Sequence, residues 1–219
     1  MACIHSRRNF FVGIGHPRCG TAFTAGLLQS GGLRIRHEHV ARNGIVSWML
    51  PGGKYRNPYG DAIGPLSDFR NIFCAVRSPL AAMNSIIPEN GKPASLQFRQ
   101  RILTERSDET LPDPAADSGG ILTAVVSYTL WFELCMSFLP DIVFRIDRAE
   151  DDALLSDYTG KTVARTEGVN RNARPMIRAS RFTPEALAEL PPEWPARLAA
   201  LAEGLGYPED AEIIGGFVR

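Results

Sequence analysis

Arg18 is the first residue whose type and setting suggest chemistry. It lies in Gly13-Ile14-Gly15-His16-Pro17-Arg18-Cys19-Gly20-Thr21, where an apolar run stops, glycines punctuate the backbone and a helical pattern begins. The start of a helix offers backbone N–H groups without intrahelical partners and the positive end of the peptide dipoles. Such an end is an anion site. Arg18 adds a fixed positive charge with several donors, Thr21 adds a hydroxyl, and Gly20 lets the backbone come close to a ligand.

Better-known phosphate and nucleophile loops do not fit these letters. A GxxxxGK[ST] loop counted from Gly15 meets Thr21 where the lysine belongs, and a GxGxxG fingerprint counted from Gly13 meets Arg18 at its third glycine. A CX5R loop counted from Cys19 ends on Ala25. A second basic position follows another apolar run: residues 71–76 (NIFCAV) lead into Arg77, and Ser85 comes about two helical turns later, where a long arginine side chain could share an anion with it. An arginine at the end of a parallel strand points into the crevice at the sheet's carboxyl edge. His37, Glu38 and His39 form a compact acid–base cluster of the kind that takes a proton from a reacting hydroxyl. The cluster by itself does not single out which of the three acts.

The run from His16 to Thr21 resembles the PAPS-binding loop of the sulfotransferase superfamily, whose form is roughly P-[RK]-[ST]-G-T-[ST] after a strand and at the head of a helix. Here Cys19 and Ala22 stand where the family has hydroxyl residues. The resemblance implies that Arg18, Cys19, Gly20, Thr21 and Ala22 hold the 5′-phosphosulfate of the donor. Arg18 then also stabilises charge on the leaving phosphate. Arg77 and Ser85 match the spacing of the family's 3′-phosphate motif, and Gly168 to Arg174 looks like its closing basic segment, with Arg171 and Arg174 as ligands. Glu38 resembles by position the acidic base used in several branches, which implies Glu38 as first choice for the base and His37 as second. The implied reaction moves a sulfuryl group from PAPS to a hydroxyl or amine of an unspecified small-molecule, glycan or lipid acceptor. It releases adenosine 3′,5′-bisphosphate and uses no metal. Two readings compete with it. One is a P-loop kinase-like phosphotransferase, which would need Mg²⁺ and normally a loop lysine. The other is a noncatalytic nucleotide-binding protein.

These residues need a frame to hold them. Residues 9–14 (NFFVGI), 33–37, 71–76 and 141–146 read as strands, the first and third as buried ones. Residues 21–29, 79–87, 95–106, 121–139, 184–190 and 194–205 read as helices, and Pro88 is expected to stop the second. Asp147, in the polar turn after the last strand, reads as the cap of a short helix ending near Tyr158. Residues 40–59 and 107–120 read as irregular surface structure. The stretch 159–181 is expected to be a loop or lid. Acceptor contacts are expected from 40–59 and 88–120, where Trp48, Tyr55 and Tyr59 could stack on a ring, although packing in the core or on the surface is the commoner role for such residues. Strands alternating with helices imply a three-layer α/β domain with a mainly parallel central sheet. By the resemblance it is a P-loop NTPase-like sulfotransferase fold spanning residues 1–219 as one domain.

Composition sets the bounds. The chain of 219 residues is 44% hydrophobic and 22% charged, which suits a folded protein with one sizeable core. Its 24 basic residues balance 24 acidic ones, so nothing favours a nucleic-acid partner. Cys3, Cys19, Cys74 and Cys135 form no CxxC pair, which points to reduced thiols and a cytoplasmic setting. No apolar run reaches the roughly 18 residues of a membrane span, so stable membrane insertion is not expected.

Overall fold

The computed structural model describes residues 10–53, 55–56, 62–165 and 182–218. The chain divides into two compact units. One comprises Met1–Val76 and Cys135–Arg174, the other Arg77–Leu134 and Pro175–Arg219.

The first unit is built on five parallel strands: β1 (Phe11–Gly15), β2 (Ile35–His37), β3 (Gly44–Val46), β6 (Asn71–Val76) and β7 (Ile142–Arg145), in the order β2-β3-β1-β6-β7. Helices flank the sheet, as the α/β expectation required. Two short strands, β4 (Tyr55–Arg56) and β5 (Ala62–Ile63), form a separate antiparallel pair. β1 is central because all five of its residues are buried. Its register sets Gly13 beside Val46 of β3 and Phe73 of β6. A Cβ on Gly13 would come within 2.5 Å of the Phe73 ring and 2.8 Å of Val46, so a bare backbone there is what lets that ring lie across the strand.

Alternation along the strands divides two apolar faces. Phe11, Phe73 and Phe144 share one cluster with Leu27 and Leu28 of α1 (Thr21–Ser30) and Leu155 of α5 (Asp151–Thr159). Val12, Ile14, Cys74 and Val76, which alternate with those residues, are also buried. Asp141 ties the sheet's lower edge: its Oδ2 accepts from the Ile72 amide at 3.0 Å and from the Tyr158 hydroxyl at 2.6 Å. The Tyr158 ring packs edge-on to Phe11 and Phe73. Burial, and then the bond to Asp141, push that phenol well above its ordinary pKa.

The second unit holds α2 (Pro79–Asn90), α3 (Pro93–Ser107), most of α4 (Ile121–Ser137), α6 (Glu193–Gly204) and α7 (Pro208–Gly215). Arg197 of α6 clamps Glu133 and Glu109 at 2.5 and 3.1 Å and lies over the Trp194 ring. Pro88 does not stop α2. It sits in the final turn, two residues before the end, where the missing N–H removes one helical bond and the ring meets only the last turn before it. Asp147 is not the cap of α5 either: Glu150 occupies that position and makes no side-chain capping bond. The segment expected to be a lid lies largely outside the described residues.

Candidate functional site

β1 leaves the sheet at its switch point. The chain passes from β1 to β2 on one side and later returns to β6 on the other, so the carboxyl ends of β1 and β6 flank a crevice. Ligands of open α/β sheets bind at such a point. The turn after β1 is tightened by the Cys19 amide, which donates to the His16 carbonyl at 3.0 Å. His16 is fully buried, with Nδ1 2.5 Å from the Pro17 carbonyl. Arg18 then takes a left-handed backbone with φ 79°, a conformation that costs a non-glycine residue about 1 kcal/mol or more. Strain of this kind collects where a loop must present its groups in one direction.

α1 begins from Gly20, which has φ 89° and offers no side-chain cap. The first described helical bond that closes on the loop runs from the Thr24 amide to the Gly20 carbonyl at 2.8 Å, doubled by the Thr24 hydroxyl at 3.0 Å. Among the described residues, the amides of Gly20, Thr21, Ala22 and Phe23 have no backbone partner, and the first turn carries no acidic side chain. Arg18, half-buried in the loop just before α1, has no hydrogen-bond or ion-pair partner among the described residues. One strong cation and four open donors therefore serve one helix terminus. Against this floor packs Ile146, whose side chain meets the place where a Gly20 Cβ would stand.

The loop is joined to the acid–base cluster. His37 Nε2 lies 3.1 Å from Thr21 Oγ1 and 3.5 Å from Glu38 Oε1. Glu38 has φ 61°, and its Oε1 accepts the Trp48 indole N–H at 2.9 Å. Burial holds the His37 imidazole below its ordinary pKa, against the attraction of Glu38 and with a further push from His39. The ring is therefore neutral at neutral pH.

Arg77 and Ser85 belong to the second unit. Arg77 Nη1 donates to Ser85 Oγ at 3.3 Å, so the eight-residue spacing does bring them together. The Arg77 carbonyl accepts the Tyr128 hydroxyl at 2.6 Å, which fixes the backbone from which the guanidinium reaches. Arg171 and Arg174 lie outside the described residues. Among the described residues, no group of three or more His, Cys, Asp or Glu side chains assembles that could hold a metal ion, and no helix is long and apolar enough to cross a membrane.

Compared with protein-family models, curated proteins and solved structures, the chain matches none.

Two participants escaped the sequence reading. Trp48, read as a packing residue that could also stack on an acceptor ring, grips Glu38 through its N–H. Ile146, unremarkable as the end of an apolar run, lies over Gly20. The cysteine at position 19 is fully buried, and so are Cys74 and Cys135. Cys19 thus turns its side chain into the protein, and its amide already donates to the His16 carbonyl.

Proposed function

We propose that the protein is a PAPS-dependent sulfotransferase of the P-loop NTPase-like type. The observation that carries the reading is the head of α1: four open amides, preceded in the loop by an arginine with no partner among the described residues, at the switch point of a parallel sheet. Each bond from such donors to a charged ligand contributes about 1.5–3 kcal/mol. The Arg77–Ser85 pair makes the reading more specific, because a donor with a second, 3′-phosphate needs a second cationic grip. A kinase-type loop would place a lysine where this chain has Thr21.

In the proposed reaction the acceptor oxygen or nitrogen attacks the donor sulfur and the bond from sulfur to the bridging phosphate oxygen breaks. The negative charge that gathers on the leaving 5′-phosphate faces Arg18 and the amides of Gly20 to Phe23, whose dipoles are already oriented and need not reorganise. The acceptor proton passes to Glu38. The products are the sulfated acceptor and adenosine 3′,5′-bisphosphate.

Thermal stabilisation by adenosine 3′,5′-bisphosphate, ATP and ADP, each with and without Mg²⁺, tests the reading. A ligand at a hundred times its Kd adds about 2.7 kcal/mol. The bisphosphate is expected to give the largest shift without metal. A preference for ATP that appears only with Mg²⁺ refutes the proposal.

A further inference from the structure

The contacts around His37 form a directed chain. An indole nitrogen only donates and a carboxylate oxygen only accepts, so the Trp48–Glu38 bond at 2.9 Å has one possible sense. Glu38 Oε1 also faces His37 Nε2 at 3.5 Å. A lone pair on Nε2 would oppose that carboxylate, whereas a proton on Nε2 is attracted to it. The neutral imidazole therefore carries its hydrogen on Nε2. The same nitrogen lies 3.1 Å from Thr21 Oγ1, which can then only accept from it. A hydroxyl has one proton and rotates to suit its partners. Once Oγ1 accepts from the ring, its proton must turn away from His37. Thr21 is the first residue of α1, among the open amides.

We infer that His37 is a positioning residue rather than the base: held by Glu38 and Trp48, it donates to Thr21 Oγ1 and so turns the Thr21 hydroxyl proton toward a phosphate bound at the head of α1. This deepens the proposed donor site and rests on it. The titratable groups acting on His37 among the described residues are Glu38 and His39. Nε2 keeps its hydrogen in both the neutral ring and the imidazolium, so the donation to Thr21 persists when His37 is protonated. Glu38 remains the group for the acceptor proton. His37 prepares the other partner of the reaction, the donor phosphate.

Nitrogen-15 spectra of the histidine rings in the unliganded wild-type protein read the tautomer directly. The Nε2–H form is expected for His37, and the Nδ1–H form overturns the inference. A double-mutant cycle on the affinity for adenosine 3′,5′-bisphosphate supplies the second readout. Thr21→Val and His37→Leu should each weaken binding about tenfold, as for one hydrogen bond to a charged group. The double variant should be no weaker than either single one, because His37 acts only through Thr21. His37→Gln, whose amide can donate to the same oxygen, should recover most of the loss. Losses that multiply to about a hundredfold in the double variant, or a glutamine variant no better than leucine, overturn the inference while leaving the donor reading intact. Wild-type protein that fails to bind the bisphosphate overturns the donor reading, and the inference falls with it.

Discussion

Replacing Gly20 with alanine tests whether the loop is held in shape by the fit of its backbone against Ile146, the residue after β7. Two costs add. Gly20 has φ 89°, where a residue with a Cβ pays about 1 kcal/mol relative to glycine. The new Cβ would also collide with Ile146 Cδ1 and lie 3.1 and 3.2 Å from its Cγ2 and Cγ1. Overfilling a packed contact costs ~1–3 kcal/mol. The sum is ~2–4 kcal/mol, and it falls on the residue from which α1 starts. Denaturant unfolding gives the stability loss; titration with adenosine 3′,5′-bisphosphate gives the loss of grip. Ile146→Val separates the two costs, because it removes Cδ1 at an expense of ~0.5–1.5 kcal/mol on its own. In the double variant the collision is relieved and the backbone strain remains, so the two changes should cost less together than apart by at least ~1 kcal/mol. A Gly20→Ala protein destabilised by under ~0.5 kcal/mol, or strictly additive losses, would refute the reasoning.

Other expectations follow from the same geometry. Arg77→Ala should weaken adenosine 3′,5′-bisphosphate about tenfold and leave adenosine 5′-monophosphate unchanged, while Arg18→Ala should weaken both, read by calorimetric titration; equal losses for the two ligands in the Arg77 variant would remove the 3′-phosphate assignment. Asp151 accepts from the Arg145 amide, Nε and Nη2 at 2.8, 2.9 and 2.6 Å. Burial pushes its carboxyl up, but those bonds and the charges of Arg145 and Arg148 prevail and hold it below the usual range. Its stabilisation is thus present above the unfolded-state value near pH 4 and lost as pH falls through the lower folded-state value. Asp151→Asn should cost ~1.5–3 kcal/mol at pH 7 and flatten the acid limb of the stability profile. His37 has the same sign, being depressed in the folded state by burial, so stability should also decline as pH drops through about 6.5, and His37→Gln should remove that slope. Burial and then the neighbouring Cys74 thiol push Cys135 well up, so a thiol reagent followed by peptide mapping should leave Cys19, Cys74 and Cys135 unlabelled until the protein unfolds.

What the sequence disclosed depended on how local each signal was. β6 is legible to the residue because an unbroken apolar run, Ile72 to Val76, lies between the polar Arg70-Asn71 and the Arg77-Ser78-Pro79 stop. α1 was read to within one residue because Gly20 and the Gly31-Gly32 pair bracket it. β3 escaped because three residues carry no periodicity; Gly44–Val46 is a strand only because β1 and β2 pair with it on either side. α7 has a local start signal, with Pro208 at its first position and Glu209 and Asp210 in its first turn, but at eight residues it is too short to carry a clear helical periodicity. In the site, the Arg77–Ser85 contact followed from helical spacing alone. The Thr21–His37 contact joins residues sixteen apart on different elements, and the Trp48–Glu38 bond depends on how the chain leaves β3. Neither has a local signature.

The two helices that follow the central strands are finished in opposite ways, and this bears on what each can bind. α2 starts with Pro79, which has no N–H to offer. Its Leu80 amide donates to Asp210 Oδ2 at 3.1 Å, its Ala81 amide to Ser78 Oγ at 3.2 Å and its Ala82 amide to the Ser78 carbonyl at 2.9 Å. The Ser78 hydroxyl donates in turn to Asp210 at 2.6 Å. A carboxylate thus already occupies the positive end of α2, and its first-turn donors are spent. At α1 no side chain plays that part, and the donors remain open. A phosphate at α1 can therefore draw on backbone and Arg18 together, whereas one near the start of α2 has the Arg77 and Ser85 side chains and no helix end. Removing Arg18 leaves four amides in place; removing Arg77 leaves one hydroxyl. The proposed 3′-phosphate grip should consequently depend more steeply on its single arginine than the proposed 5′ grip does on its own.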